Sequence, residues 1–139
     1  WDTIRNTVQQ AVPTFRFRES GCVTGDAGIT LFLDLETPDK ARLFADALAR
    51  EGVPMGPSSG MVNLLTLDYV RQKAMPHPLR YPFGPGHAGA TVTYANDDAP
   101  NTDRLVASMP AIAIGPRWTP TDARDVAAAI IKVAQKNPV

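Results

Sequence analysis

The sequence predicts an α+β fold, a small and mainly antiparallel β-sheet covered by helices. Three observations carry that prediction. Phe15 and Phe17 alternate with Arg16 and Arg18, and a glycine-rich stretch separates them from the apolar run Ile29 to Leu35, the pattern of two strands joined by a turn. Two segments with helical apolar spacing start at threonine caps, Thr37 and Thr119. The chain has 139 residues, the length of a single domain that hides about two-thirds of its unfolded surface.

The elements follow in order. Residues 1 to 12 place Trp1, Ile4, Val8, Ala11 and Val12 on one helical stripe, which Pro13 stops. The strand at Phe15 to Phe17 is expected to pair antiparallel with Ile29 to Leu35. Thr37 then caps a helix with Pro38 in its first position and Gly52 just past its end. Ala41, Phe44, Ala45 and Leu48 form its apolar face, while Asp39, Lys40, Arg42, Asp46 and Arg50 remain for water.

From Val53 to Pro100 the texture changes, with seven of the thirteen prolines and five of the ten glycines. Loops dominate, interrupted by a short helix over Leu64 to Lys73 and a strand over Ala90 to Tyr94. Compact domains seldom keep this much irregular chain without a use, so the segment reads as the functional edge. Asn101-Thr102 then caps a helix through Leu105 and Val106, Ala111 to Ile114 is a brief strand ended by Gly115-Pro116, and Thr119-Pro120-Thr121-Asp122 opens the last helix. Val126, Ile130, Val133 and Ala134 form the buried stripe of that helix.

Composition narrows the partners. Fourteen basic residues cancel fourteen acidic ones, which leaves no electrostatic footprint for nucleic acid or an anionic membrane surface. Cys22 is the only cysteine, so no internal disulfide forms; with no apolar stretch near the length of a membrane span, a cytoplasmic location is expected. The chain opens at Trp1, without an initiator methionine, as a piece cut from a longer protein would.

The motifs yield little chemistry by themselves. Gly84-Pro85-Gly86-His87-Ala88-Gly89 satisfies G-x-G-x-x-G, but a proline-broken segment precedes it and β-branched residues follow, so the strand-turn-helix context of dinucleotide binding is missing. His77 and His87, even with Asp97 and Asp98, match no compact metal-ligand spacing. Ser58-Ser59 lacks the flanks of a nucleophile elbow. Of the lysines Lys40, Lys73, Lys132 and Lys136, only Lys73, at the end of a short helix, lies off an exposed helix face. No catalytic residue is identified.

The run Ala99-Pro100-Asn101-Thr102-Asp103-Arg104-Leu105, then Met109 to Pro116, then Trp118-Thr119-Pro120-Thr121-Asp122-Ala123, resembles the C-terminal end of the DegT/StrS family of sugar aminotransferases. There a P-N-T-x-x-L helix, an apolar strand closing in a proline and a T-x-x-D helix follow in this order. Gly28 to Leu35, the covering helix Glu36 to Arg50 and Glu51-Gly52-Val53-Pro54 are similar too, so the resemblance covers nearly the whole chain. Where many members carry a histidine-aromatic pair after the covering helix, this chain has Gly56-Pro57-Ser58-Ser59-Gly60.

The resemblance implies the C-terminal small domain of a fold-type I enzyme. Such an enzyme uses pyridoxal phosphate to move an amino group from glutamate or glutamine to a keto sugar or sugar nucleotide, as a homodimer. It also implies that the Schiff-base lysine and most cofactor ligands belong to a large domain outside this chain, leaving the chain inactive alone. Substrate contacts would then come from the loop segment, through the hydroxyls of Ser58 and Ser59, the guanidinium of Arg80, and His77 or His87. A severed domain is expected to expose the apolar side chains of its first helix, Trp1, Ile4 and Val8. The competing expectation is a free-standing α+β module that binds a small molecule or a partner without catalysis.

Overall fold

A computed structural model describes residues 1–19, 21–22, 25–56, 60–95 and 97–136. The chain divides into two compact units, Trp1–Met61 with Arg104–Val139, and Val62–Asp103. Among the described residues the fold is a mixture of helices and a two-stranded antiparallel sheet, which places it in the α+β class.

The first unit is built around the apolar run that follows Gly28. Its strand β1 (Thr30–Phe32) pairs antiparallel with β2 (Ala111–Ala113), with Leu31 opposite Ile112. The pairing runs on past both ends: Ile114 N–H donates to the Ile29 carbonyl, Leu33 N–H to that of Pro110 and Leu35 N–H to that of Ser108. Along its other side the run meets the Phe-Arg alternation, where Phe17 bridges Leu33 and Arg18 N–H donates to the Phe32 carbonyl. Period-two geometry sends Leu31, Leu33 and Leu35 into the core, each at most 1% exposed. The antiparallel pairing expected from sequence is present, as bridge geometry at its Phe17 end.

Three helices cover this sheet. Helix α1 (Asp2–Ala11) buries Ile4 and Val8 completely and packs on the C-terminal helix. The expected exposure of its stripe is therefore corrected for both: each is 0% exposed. Trp1 is half-buried, its indole N–H donating to the Thr30 carbonyl at 3.1 Å. The reason is local, because the unit closes its own core with this helix.

Helix α2 (Pro38–Arg50) starts where Thr37 accepts the Lys40 N–H through its hydroxyl. It ends in a Schellman arrangement: Gly52, at φ +87°, donates to the Ala49 carbonyl, and Val53 N–H donates to that of Leu48. Leu48 and Val53 both lie in the core, which holds the chain's exit from the helix.

In the second unit the expected helix over Leu64 to Lys73 resolves into a 3₁₀ turn, Leu64–Thr66, and a single α turn, α3 (Asp68–Arg71), with extended Leu67 between them. Asn63 caps the 3₁₀ turn at its start. Its side-chain oxygen accepts the Leu65 N–H at 3.0 Å, and its carbonyl takes the Thr66 hydroxyl at 2.8 Å. The expected strand Ala90 to Tyr94 is also corrected, to a 3₁₀ turn Ala88–Thr91 followed by extended but unladdered chain. Ala90 N–H is spent on the His87 carbonyl, and the Gly89 and Ala90 carbonyls on the Lys73 ammonium, so no ladder can form there.

Helix α4 (Pro100–Ser108) begins one residue before its expected asparagine-threonine cap, Asn101-Thr102. Thr102 and Asp103 N–H both donate to the Ala99 carbonyl, which puts Pro100 in the first helical position, where its missing N–H costs nothing. The last helix, α5 (Pro120–Lys136), opens in the expected reciprocal cap, with Asp122 N–H on the Thr119 hydroxyl and Thr119 N–H on the Asp122 carboxylate. Val126, Ala127, Ile130, Val133 and Ala134 bury its inner face. No helix among the described residues is long and apolar enough to cross a membrane.

Candidate functional site

Of the substrate contacts expected from sequence, His77, Arg80 and His87 lie in the second unit, and Ser58 and Ser59 lie outside the described residues. The three form one loop cluster. Arg80 N–H donates to the His77 carbonyl at 2.9 Å, and the Arg80 carbonyl then accepts the N–H groups of Phe83 and Gly84 at 2.7 Å each. Gly84 is where the turn closes: a Cβ there would collide with the Leu79 carbonyl and would stand 3.4 Å from both Arg80 Cβ and His87 Cδ2. Only glycine fits, and because it does, Arg80 and His87 come to the same side of the turn.

Their chemistry differs. His77 Nδ1 accepts the Leu79 N–H at 3.2 Å, so that nitrogen is unprotonated there and Nε2 is left as the donor. His77 is exposed, as a donor to a ligand hydroxyl must be. The His87 ring packs edge-on against Tyr81, with centroids 5.2 Å apart. Arg80 is committed in part, its Nη2 donating to the Lys73 carbonyl at 3.3 Å, which removes one arm of the fork that a bidentate anion contact would use.

Lys73 and Asn63 organise the surroundings. The Lys73 ammonium donates to the Ala90 carbonyl at 2.8 Å and to that of Gly89 at 3.3 Å. Asn63, 6% exposed, donates from its amide to Asp103 at 2.8 Å. Neither was singled out as a brace from sequence. A lysine and an asparagine in a proline-rich loop carry no periodicity, and only the fold shows which carbonyls they reach.

Three of the four lysines are engaged by other groups. Lys73 is tied to two carbonyls, Lys40 pairs with Glu36, Lys132 pairs with Glu51, and Lys136 is exposed at the end of α5. Glu36 is held below its ordinary carboxylate range first by the hydrogen bond from Lys40 and then by that ammonium's charge, and Asp122 by hydrogen bonds from the Thr119 backbone and hydroxyl. Both are exposed and structural.

The first unit has a groove of its own, about 600 Å³, within the size range of small-molecule sites. Phe15, Phe17 and Met109 supply apolar surface, and Arg5, Arg16 and Arg18 supply cations. Arg16 is paired with Asp34 at 3.0 Å. Arg18 lies 4.4 Å over the Phe32 ring, and Arg5 lies 4.4 Å over Trp1 and 5.8 Å from Phe17. The Phe-Arg alternation was legible as a strand, but not as one wall of a cavity, since the opposite wall comes from α1 and α4. The chain matches no protein-family model and no curated protein sequence.

Proposed function

We propose that this chain is the C-terminal small domain of a pyridoxal-phosphate-dependent aminotransferase similar to the DegT/StrS family. The single observation that carries the reading is that the motifs whose order resembles that family fall on elements of one core. The Ile29 to Leu35 run, the α2 helix capped by Thr37-Pro38, strand β2 and the T-x-x-D helix α5 meet around Leu31, Leu35, Phe44, Ile112 and Ile130, and the end of α4 joins the run where Leu35 N–H donates to the Ser108 carbonyl. Loose motifs scattered over unrelated elements would have no such common packing.

On this reading the whole enzyme transfers an amino group from glutamate or glutamine to a keto sugar or sugar nucleotide, as a cytoplasmic homodimer. When bound, pyridoxal phosphate supplies the electron sink for that transfer. Its anchoring lysine belongs to the large domain, in keeping with the engagement of Lys40, Lys73 and Lys132 in this one. Ser58, Ser59, His77, Arg80 and His87 contact the sugar. Within that set His77 donates from Nε2 to a hydroxyl, and Arg80 offers the nitrogens that Lys73 leaves open.

The donor half of the reaction tests this without knowledge of the sugar. The purified gene product is supplied with pyridoxal phosphate and then with glutamate or glutamine, and the 2-oxo acid formed is measured. One equivalent of 2-oxo acid per enzyme in the absence of an acceptor is expected. A product that takes up no cofactor and forms no 2-oxo acid from either donor overturns the reading in favour of a non-catalytic binding module.

A further inference from the structure

The groove of the first unit contains a feature that its fold does not explain. Arg5 projects from α1 into the groove, its guanidinium lying over Trp1 and beside Phe17. Its Nε is buried and has no hydrogen-bond partner, and the side chain makes no ion pair among the described residues. A guanidinium is always charged and carries five donors in a planar fork. Leaving a buried donor unmet is costly, and burying part of a cation without a counter-charge more so.

The neighbours do not relieve it. Asp34, one of the two carboxylates on the groove, is already engaged by Arg16 at 3.0 Å. Glu19, the other, is exposed and pairs with no arginine among the described residues. Arg18 likewise makes no ion pair among the described residues and stacks on Phe32. Among the described residues the groove therefore presents two guanidinium groups without an ion-pair partner beside the exposed apolar side chains of Met61 and Leu105, over a buried floor of Phe15, Phe17 and Met109. The two phenylalanine rings lie 5.1 Å apart at 56° and pack on each other in the core beneath the groove.

We propose that this groove is a binding site for a small organic carboxylate with an apolar body, its carboxylate held by Arg5 with Arg18 in support and its body laid against Met61 and Leu105 over the floor formed by Phe15, Phe17 and Met109. The chemistry is selective on both counts. A purely inorganic anion leaves the apolar wall wet, and an uncharged hydrophobe leaves Arg5 unmatched. The cations that hold the carboxylate, Arg5 and Arg18, are not among the residues assigned to the sugar, and the proposal does not rest on the aminotransferase reading.

Titration calorimetry on the gene product with phenylacetate and with its neutral amide, phenylacetamide, tests the proposal at 0.05 M and 0.15 M salt. Phenylacetate is expected to bind at least tenfold tighter than the amide, with the preference falling at the higher salt. Arg5→Met, which keeps the stem over Trp1 and removes the fork, is expected to weaken phenylacetate at least tenfold and leave the amide unchanged. Arg18→Met is expected to cost about threefold. Equal binding of acid and amide to the unaltered protein, no binding of either, or full affinity for the acid in Arg5→Met would each overturn the proposal. The acid-amide comparison needs no variant, so a folding defect in Arg5→Met does not shelter it. No cofactor enters the experiment, so its failure and that of the aminotransferase reading are separately visible.

Discussion

Asn63 shows what a single polar side chain does in a segment that has little apolar core. Among the described residues Asn63 and Ser108 are the buried polar side chains, and Asn63 ties the start of the second unit to Asp103 while capping the Leu64 turn. Asn63→Ala removes the donor to Asp103 and the acceptor for Leu65. It should lower the protection of the Leu65 and Thr66 amides against hydrogen exchange by about 1–3 kcal/mol, the cost of a lost buried partner. Unchanged exchange at both amides would contradict the role given to it. Lys73 makes a related point. It was the lysine that sequence position favoured for chemistry, yet its ammonium is occupied by the carbonyls of Gly89 and Ala90. Lys73→Met should therefore loosen the Ala88–Thr91 turn, measured by exchange, and leave cofactor uptake by the gene product unaltered.

At the scale of the element, the helix ends are where sequence and structure agree most closely. Thr37, Pro38 and Gly52 mark α2 by local chemistry alone, because a hydroxyl acceptor, a fixed φ and a left-handed residue each act within one turn. Gly52→Ala meets no atom within 4 Å, so its cost is the backbone strain of φ +87° alone, about 1–2 kcal/mol in a urea melt. The cap of α5 predicts an acid response. Hydrogen bonds from Thr119 hold the Asp122 carboxyl below its ordinary range, so the folded state favours the ionised form. That contribution is complete above the unfolded carboxylate value of 3.8 and disappears as pH falls through the lower, folded one. Exchange protection in the first turn of α5 should fall over that window, and Asp122→Asn should flatten the response. An identical acid profile in the variant would contradict the assignment. Elements that depend on distant partners were not legible. The Ala90 to Tyr94 segment has β-forming residues, but the Lys73 side chain takes its carbonyls, and nothing in the local pattern announces that capture.

The whole molecule is a small sheet with its apolar face closed by α1, α2 and α5, and a second unit rich in turns. The α+β class was legible because period-two and period-3.6 patterns are set by side-chain geometry and survive without knowledge of tertiary contacts. The groove was not, since its walls come from residues far apart in sequence, Arg5, Phe15 and Met109 among them. The burial of Ile4 and Val8 was missed for the same reason: an amphipathic helix declares that it has an apolar face, not which neighbour covers it. Ile130, fully buried on α5 at the centre of this core, is expected to cost about 2–5 kcal/mol on truncation to alanine, read from the shift in a urea midpoint at unchanged slope.

The aminotransferase reading is a claim about the complete gene product, and the most direct test is its intact mass after borohydride reduction in the presence of pyridoxal phosphate. Reduction fixes a lysine-bound cofactor as a stable secondary amine. The account predicts a chain much heavier than 15.0 kDa carrying one cofactor adduct, with the modified lysine outside the residues described above. A chain of about 15.0 kDa without an adduct would contradict it.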